Sequence, residues 1–325
     1  MASINDVAKR AHVAKSTVSL VLNNSGYVSE ETRKKVEQAI RELDYHPSQI
    51  AQNLSKNRTN LVGVVIPDVS HPFYGTFVKY AEEELYRLGY KTMVCETVER
   101  ENMEEEFLMM LKKQTMDGII MGAHSLLQDE YEKAGKPVVA FDRNLGAAIP
   151  VVRADHAAGG VLAARKLLEK NCHYVVQISG ARIVNTPAHQ SHLTFAEELR
   201  NHGAKVVEVE MPHNSFSEEA FHEVAEKIFK EHPKMDAIFG ADMAIQACLR
   251  ESWKQGYRIP QDICMIAYDG TYITRLGCLQ TNAVVQPISS LAKQCAEYMD
   301  KQIRGEGQLL EDVILPVFYQ EGDTV

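Results

Sequence analysis

Two short amphipathic segments open the chain, and their pattern predicts two helices in close succession. Ser3 followed by Asp6 is typical of a helix N-cap with an acid in the first turn. The pattern breaks at residues 12–14, where a tight turn is expected. Before this break, apolar residues recur three or four positions apart and predict one buried helical face: Ile4, Val7, Ala8 and Ala11.

The second predicted helix has an inward and an outward face. Val18, Val21 and Leu22 would share a small core with the first helix. Two short helices that are joined by a tight turn and share one core form a helix-turn-helix, whose second helix presents base-reading side chains. The outward face, where such side chains belong, carries Lys15, Ser16, Ser19 and Leu20.

Downstream, the hydrophobic pattern changes. Val36, Ile40 and Leu43 mark a third helix that begins after Ser29. From Leu61 onward, short apolar runs alternate with amphipathic stretches, a pattern typical of parallel sheets covered by helices on both faces. The runs form two series, which predict two similar lobes: Leu61–Pro67, Lys91–Glu96, Gly118–Gly122, Val138–Asp142 and Val151–Asp155, then Tyr174–Gly180, Lys205–Met211, Ala237–Ala241 and Cys264–Asp269.

The two opening helices also carry a family resemblance, in the residues Asp6-Val7-Ala8, Val13, Thr17-Val18-Ser19 and Val21-Leu22-Asn23. These positions resemble the headpiece of the lactose-repressor/galactose-repressor family, which implies a bacterial transcription regulator. An ordinary helix pair with no role on DNA is the alternative. One departure is Ala14, where the family usually has a serine that caps the second helix; losing such a cap costs about 1 kcal/mol.

The resemblance assigns DNA contacts to eight residues. Lys15, Ser16 and Leu20 would enter the major groove of an operator half-site. The residues that would bind phosphates or lie in the minor groove are Thr17, Ser19, Asn23, Ala51 and Leu54. Leu54 would act as an apolar wedge that kinks the base steps. It follows Pro47 in a stretch of about two helical turns, too short to be stable alone, and a plain linker is the alternative there.

The resemblance also implies the domain organisation. The fold class is an N-terminal all-α helix-turn-helix headpiece plus an α/β core of two doubly wound parallel-sheet lobes, like a periplasmic binding protein. The headpiece would span residues 1–45, a hinge helix and linker 46–60, and an effector-binding and dimerisation core 61–325. Within the core, lobe 1 would comprise about 61–156 and 287–315, and lobe 2 about 157–286 and 316–325.

The composition of the chain narrows the class of protein further. No apolar run is long enough to span a membrane, and the N-terminus lacks a signal-peptide core, so a cytoplasmic protein is expected. The six cysteines are scattered without a CxxC pair, which indicates reduced thiols. Residues 1–60 hold nine Lys/Arg and six Asp/Glu, net +3, against −12 for the remainder. A basic head on an acidic body suits a protein that touches DNA at one end.

Ligands of doubly wound sheets bind beyond the carboxyl ends of the strands. With two lobes, this rule places the site in the cleft between them. By resemblance, the first cleft loop supplies Phe73 and Tyr74, and an aromatic matching Phe216 stacks on the ligand. Carboxylates that accept hydroxyl hydrogens, with aromatic rings that cover C–H faces, suit a sugar-like ligand. The candidate effector-binding residues are Phe73, Tyr74, Asp155, His189, Ser191, Phe216, Asp242 and Asp269.

Two departures from the family bear on ligand choice. A family arginine falls on Ser191, and a family asparagine falls on Ala241. Both would supply fixed hydrogen bonds, so their loss changes specificity. His189 and His192 could line the same wall and donate hydrogen bonds to a different sugar or sugar phosphate. Surface histidines on a helix are an equally good interpretation, and a metal site is disfavoured because no third ligand is near.

The resulting interpretation is a dimeric repressor of a carbohydrate-utilisation operon. Its partners would be a near-palindromic operator and a sugar or sugar derivative in the cleft. The chain ends without a leucine-heptad tail, so a homodimer is expected rather than a tetramer. No catalytic motif is present, and neither enzyme activity, a cofactor nor a metal is expected. Two alternatives stay open: a catabolite-control-type regulator governed by a phosphoprotein, and a sugar-binding protein without a DNA role.

Overall fold

The computed structural model describes residues 2–46, 58–98, 103–123, 127–183, 186–213, 215–306 and 310–325. The chain divides into two compact units, Met1–Thr59 and Asn60–Val325. The predicted hinge residues Ala51 and Leu54 lie outside the described residues. The predicted fold class is confirmed, with an all-α first unit and an α/β second unit built on two sheets.

The described residues of the first unit form three helices: α1 (Ile4–Ala11), α2 (Lys15–Leu22) and α3 (Glu30–Glu42). Ser3 caps α1 as predicted: its Oγ accepts from the Asp6 backbone N–H at 3.4 Å, and the Asp6 carboxylate accepts from the Ser3 N–H at 2.8 Å. The helix ends at His12, whose left-handed φ of 52° turns the chain toward α2.

The start of α2 depends on packing. Its N-cap, Ala14, makes no side-chain hydrogen bond, as the departure at this position predicted. Val18 and Val21 instead anchor the helix in a small core that all three helices share. The buried members of this core are Val7, Ala8, Ala11, Val18, Val21, Val36 and Ala39. Arg10 pairs with Glu42 across the unit, which joins α1 to α3.

Nine strands of the second unit follow the predicted runs, and three further short strands lie near the end of the chain. All twelve are given in chain order. They are β1 (Leu61–Ile66), β2 (Lys91–Glu96), β3 (Gly118–Met121), β4 (Val138–Phe141), β5 (Val151–Ala154), β6 (Tyr174–Ser179), β7 (Lys205–Glu210), β8 (Ala237–Ala241), β9 (Cys264–Asp269), β10 (Asn282–Val285), β11 (Val313–Leu315) and β12 (Phe318–Gln320).

Helices separate most of these strands. They are α4 (Pro72–Arg87), α5 (Met103–Lys112), α6 (Gln128–Ala134), α7 (His156–Glu169), α8 (His189–Asn201), α9 (Glu218–Glu231), α10 (Asp242–Lys254) and α11 (Ile288–Ile303), with a 3-10 turn at Tyr272–Arg275. None of the helices in the described ranges is long and apolar enough to cross a bilayer.

Two six-stranded sheets define two lobes. Lobe 1 has the strand order β11-β5-β4-β3-β1-β2, and lobe 2 has β12-β10-β9-β8-β6-β7. The described pairings are parallel, apart from the antiparallel pair of β10 and β12. The chain passes from lobe 1 to lobe 2 after β5, returns after β10, and crosses again between β11 and β12. Three connections therefore join the lobes.

Both faces of each sheet are covered by helices, which explains the continuous apolar strands. In lobe 1, α4 and α11 pack on one face, and α5 and α6 on the other. In lobe 2, α9 and α10 cover one face, and α7 and α8 the other. The two helices α7 and α8 approach closely at Gly160, where a Cβ would collide with the Ser191 carbonyl. Only glycine permits this contact.

Candidate functional site

The outward face of α2 is accessible. Lys15 and Ser16 at its start are exposed, whereas Thr17, Ser19 and Leu20 are partly buried. In helix-turn-helix proteins the N-terminal residues of the second helix contact base edges. The placement of Lys15 and Ser16 is therefore compatible with base contacts, and their role on DNA stays a prediction.

The end of α2 is fixed by side-chain hydrogen bonds. The Asn23 amide donates to the Ser19 carbonyl at 3.0 Å and to the Ser19 Oγ at 3.2 Å. In the following turn, Arg33 donates to the Asn24 side chain at 2.8 Å, which holds the turn against α3. The predicted phosphate-binding pair Ser19 and Asn23 is thus one connected polar group at the C-terminal end of the helix.

An aromatic wall stands between the two lobes of the second unit. His71 and Tyr74 come from the start of α4 in lobe 1, and Phe216 comes from lobe 2. The Phe216 ring meets His71 edge-on at 5.6 Å and Tyr74 edge-on at 6.1 Å between centroids. Tyr74 and Phe216 are two of the predicted ligand contacts, and the structure brings them together. Phe73 lies one layer deeper, in the core of lobe 1 against Phe141.

Arg143 links the lobes beside this wall. It follows β4 and is 5% exposed. Its guanidinium donates to the Tyr74 hydroxyl at 3.1 Å and, across to lobe 2, to the Thr186 Oγ at 2.7 Å. Two further bonds reach the backbone carbonyls of Ala123 and Asp142, each at 2.9 Å. This buried cation makes three hydrogen bonds to lobe 1 and one to lobe 2, and so it holds the lobes in one arrangement.

A second polar connection runs through His156. This residue begins α7 and is fully buried. Its Nε2 lies 2.7 Å from the Asp142 carboxylate of lobe 1, and its Nδ1 lies 2.7 Å from the Tyr268 hydroxyl of lobe 2. Burial alone would raise the pKa of Asp142, but the charge and hydrogen bond of His156 outweigh it and lower that pKa. The carboxylate is therefore charged and depends on His156 as its partner.

Asp269 ends β9 in a strained conformation, with a φ of 123° that L residues rarely adopt. Its Oδ1 accepts from the Gln286 side chain at 2.8 Å. Burial, followed by the charge of Asp242, raises the pKa of Asp269 well above its usual value. Burial and the nearby charge therefore favour the neutral carboxyl of Asp269 over its carboxylate. Burying this group costs stability. Strain and a perturbed carboxyl at one cleft position are features that cluster at binding sites.

Asp242 accepts hydrogen bonds from the backbone of the neighbouring turn. Its carboxylate accepts from the Gly270 N–H at 3.1 Å, and from the N–H and the hydroxyl of Thr271, both at 2.6 Å. Burial raises its pKa to about 6 in spite of these bonds. The structure thus shows Asp242 as the cap of the turn after Asp269, a role that leaves its oxygens occupied.

Two other predicted residues have structural partners, and a third is half-buried. Asp155 caps α7, because its Oδ1 accepts from the Ala158 N–H at 3.0 Å. Ser191 is buried in α8, where its hydroxyl donates to the Ala188 carbonyl at 2.7 Å. His189 is half-buried at the start of the same helix, where burial and then Arg143 lower its pKa. Their part in effector binding stays a prediction.

A cavity of 130 Å³ opens behind the aromatic wall, on the lobe 2 side. His71, Ser179, His192 and Phe216 contribute to its lining. The buried Nδ1 atoms of both histidines and the Oγ of Ser179 have no hydrogen-bond partner among the described residues. Burial lowers the pKa of His71 and that of His192 to about 4, so both imidazoles are neutral at pH 7.

The low pKa values of His71 and His192 predict that the second unit loses stability in acid. The unfolded chain binds a proton at each of them near pH 6.5, whereas the folded chain resists protonation until about pH 4. Their stabilising contribution is therefore present above pH 6.5 and is lost as the pH falls. Between pH 7 and pH 5, the free energy of unfolding of the wild type should fall by about 2 kcal/mol more than that of His192→Leu. Urea melts followed by Trp253 fluorescence measure this difference, and the same loss in both proteins would contradict it.

Sequence reasoning missed several of these residues. Arg143 and His156 each follow a predicted strand-end aspartate directly, so a charged residue after an apolar run was the available signal. His71 lies in the cleft loop, where only the aromatic residues were singled out. Ser179 and Gln286 carry no signal in the sequence, because small or neutral polar residues at strand ends are common.

The two units define a class of protein. A helix-turn-helix unit with an accessible second helix accompanies a two-lobed core whose cleft collects buried polar groups. This combination is that of a DNA-binding regulator with a small-molecule-binding core.

Comparison with known proteins identifies the family. The model of "Bacterial regulatory proteins, lacI family" matches residues 3–48, and that of "Periplasmic binding proteins and sugar binding domain of LacI family" matches residues 59–316. The chain belongs to the lacI family of bacterial regulatory proteins. The predicted family and the predicted class, a DNA-binding regulator rather than an enzyme, are confirmed.

Relatives match the chain over nearly its whole length. A sucrose operon repressor of Streptococcus mutans is 34% identical, and the alignment covers 100% of both chains. A ribose operon repressor of Halalkalibacterium halodurans is also 34% identical, over 93% of this chain and 91% of the relative. The lac repressor dimer bound to operator and the anti-inducer ONPF has a TM-score of 0.86 at 22% identity, over 99% and 98% of the two chains, which shows a shared fold.

Proposed function

We propose that the chain is a homodimeric repressor of a carbohydrate-utilisation operon and that it acts in the cytoplasm. A sugar-like effector between the lobes would set its affinity for a near-palindromic operator. The observation that carries this proposal is the set of polar contacts between the lobes, above all the bond from Arg143 to Thr186. The similarity to sucrose and ribose operon repressors supports a sugar as the ligand.

The proposed mechanism is a change of angle between the lobes. A ligand that binds one arrangement of the lobes better than another shifts the equilibrium between them. Residues 1–45 would bind DNA, 46–60 would form the hinge that contains Ala51 and Leu54, and 61–325 would bind the effector and dimerise. A changed lobe angle would move the two hinges of the dimer and so alter operator affinity.

The exposed start of α2 leads to a prediction on sequence reading. Lys15→Ala is expected to weaken binding to the selected operator by about 1–3 kcal/mol and to relax the preference at one position per half-site. Competition between operator and random duplex DNA at fixed salt measures this. Lys34→Ala, on α3, is a matched control that leaves the sequence preference unchanged. An equal loss of affinity for both DNAs would mean that Lys15 contacts phosphate only.

Release of the operator by a sugar tests the proposed function. An operator is first selected by the full chain from random duplex DNA, and binding is then measured at fixed salt, because DNA affinity depends on ionic strength. Sucrose, glucose, fructose, ribose and their monophosphates are added in turn. We expect at least one of them to change operator affinity about tenfold or more. If none does, the proposed effector class is wrong.

A further inference from the structure

Two of the buried cysteines meet at the edge of the lobe 2 sheet that lies opposite the cleft. Cys172 lies in the turn between α7 and β6, and Cys264 is the first residue of β9. Both side chains belong to the apolar core that α7 and α8 cover, and they are only 4% and 6% exposed. The two residues are far apart in the sequence, so the pattern of scattered cysteines does not reveal the pair.

Asp236, which directly precedes β8, fixes the positions of both cysteines. Its backbone carbonyl accepts from the Cys264 N–H at 2.9 Å, and the Cys172 Sγ lies 3.9 Å from the same oxygen. Its carboxylate accepts from the N–H groups of His173 and Tyr174, at 2.7 and 2.9 Å, and so holds the chain that follows Cys172. Both cysteines therefore contact one shared carbonyl oxygen.

The two thiols differ in acidity. The adjacent thiol of Cys172 lowers the pKa of the Cys264 thiol and outweighs the burial that would raise it, and the charge of Lys170 adds to the lowering. In turn, the neighbouring Cys264, followed by burial, raises the pKa of Cys172. Because the thiolate is the nucleophilic form of cysteine, Cys264 is the nucleophile of the pair and Cys172 is the thiol beside it.

The other buried cysteines have the opposite property. Burial raises the pKa of Cys95 and that of Cys248 to about 12, and it also raises the pKa of Cys295. Cysteines in apolar surroundings with raised pKa values are inert. Among the buried cysteines, Cys264 is therefore distinguished by its lowered pKa and by the second thiol beside it.

We propose that Cys172 and Cys264 form a redox-reactive dithiol, which a hydroperoxide converts to a disulfide between the α7–β6 turn and the start of β9. The Cys264 thiolate attacks one peroxide oxygen, the O–O bond breaks, and the leaving oxygen takes a proton from solvent. The Cys172 sulfur then attacks the Cys264 sulfenic acid, the S–O bond breaks, and the Cys172 proton leaves with the hydroxyl as water. The two thiols give up two electrons, which reduce the peroxide.

The turn that carries Cys172 gives a small peroxide access to the pair. Lys170, Asn171 and His173, which surround Cys172 in the chain, are exposed. Asn171 has a left-handed φ of 58°, as expected in a tight turn between a helix and a strand. A short exposed turn opens at a lower free energy than the whole unit unfolds. Opening of this turn therefore exposes the two sulfur atoms while the sheet stays formed.

The disulfide would join the two elements that carry the His156 connection between the lobes. Helix α7 begins at His156 and ends shortly before Cys172, whereas β9 begins at Cys264 and contains Tyr268. The His156 Nδ1 lies 2.7 Å from the Tyr268 hydroxyl. A cross-link at the opposite ends of α7 and β9 would hold these two elements together at both ends and restrict their relative movement.

Peptide mapping of the full chain tests the proposal. The protein is treated with hydrogen peroxide, unfolded in an alkylating agent without reductant, and cleaved with trypsin, which leaves Cys172 in peptide 171–182 and Cys264 in peptide 259–275. We expect the alkylated thiols to fall by two, from six to four, and the two peptides to be recovered as one disulfide-linked species. Cys278→Ser, which removes an exposed thiol, is the matched control and should also lose two thiols.

If all six thiols stay alkylatable after peroxide treatment, the pair is only part of the apolar core and the proposal is wrong. A disulfide that instead joins Cys278 residues of two chains would also overturn it. Both outcomes are read from the unsubstituted chain, so they do not depend on the folding of any variant.

Two serine variants assign the roles of the sulfur atoms. In Cys172→Ser the sulfenic acid of Cys264 has no thiol to attack it, so dimedone should label peptide 259–275 after peroxide treatment. In Cys264→Ser the remaining thiol of Cys172 should stay unlabelled, because the nucleophile is missing. Melting curves establish that each variant is folded. Labelling of folded Cys264→Ser at Cys172, without labelling of folded Cys172→Ser at Cys264, would overturn Cys264 as the nucleophile.

Discussion

Arg143→Met is expected to lower the free energy of unfolding of the core by about 3–5 kcal/mol and to weaken the response to sugar. Methionine is similar in length, so the loss comes from hydrogen bonds rather than from packing. Each acceptor that loses its donor in a buried place costs free energy. The acceptors are the side chains of Tyr74 and Thr186 and the carbonyls of Ala123 and Asp142.

The measurement is urea unfolding followed by the fluorescence of Trp253, the single tryptophan, which belongs to the second unit. Arg165→Met is the matched control, because Arg165 is exposed and its pair with Glu198 is worth at most about 1 kcal/mol. Thr186→Val removes the bond from Arg143 together with the bond that the Thr186 hydroxyl donates to the Asp142 carbonyl at 3.1 Å, and should cost about 1–2 kcal/mol. A stability of Arg143→Met within about 1 kcal/mol of the wild type would contradict the role of Arg143 as a connection between lobes.

His156→Leu should have a similarly large effect through a different cause. The substitution leaves the Asp142 carboxylate buried without its partner at 2.7 Å and removes the ring nitrogen that lies 2.7 Å from the Tyr268 hydroxyl. Breaking a buried pair by removing one member costs about 3–5 kcal/mol. The pKa of Asp142 should rise at the same time, because His156 contributes more than Arg143 or Arg153 to lowering it.

A double substitution separates this electrostatic cost from lost packing. Asp142→Asn combined with His156→Leu removes the stranded charge, so the double variant is expected to be more stable than His156→Leu alone. Thermal melts of the four proteins in the cycle give the coupling energy. If the two single losses simply add, Asp142 and His156 do not act as a pair.

The helices and most of the strands could be predicted from the sequence because their signals are local. Ser3 and Asp6 form the predicted N-cap, and the apolar runs that begin at Leu61 and Tyr174 are β1 and β6. The strands β10, β11 and β12 were not predicted as strands, because each has only three or four residues and little periodicity. Pairing in the sheets supplies the stability that such short runs lack.

The cleft could be predicted only in part. Strand ends locate the region, and Tyr74 and Phe216 do meet there. Which polar groups are occupied depends on contacts between distant parts of the chain. Asp242 is engaged by the turn at Gly270, and Arg143 meets Thr186 from 43 positions away. Neither contact has a sequence signal, because hydrogen bonds between lobes depend on how the two sheets are placed.

The central claim is that one sugar-binding cleft controls operator affinity. Its most direct test compares the effect of sugar on operator affinity with the effect of operator on sugar affinity. Operator affinity is measured with and without saturating sugar effector, and effector affinity is measured with and without saturating operator, at one salt concentration. Linkage requires the two fold-changes to be equal, and we expect both to be about tenfold or more. A sugar that binds the chain with the same affinity in the presence and absence of operator would contradict the account.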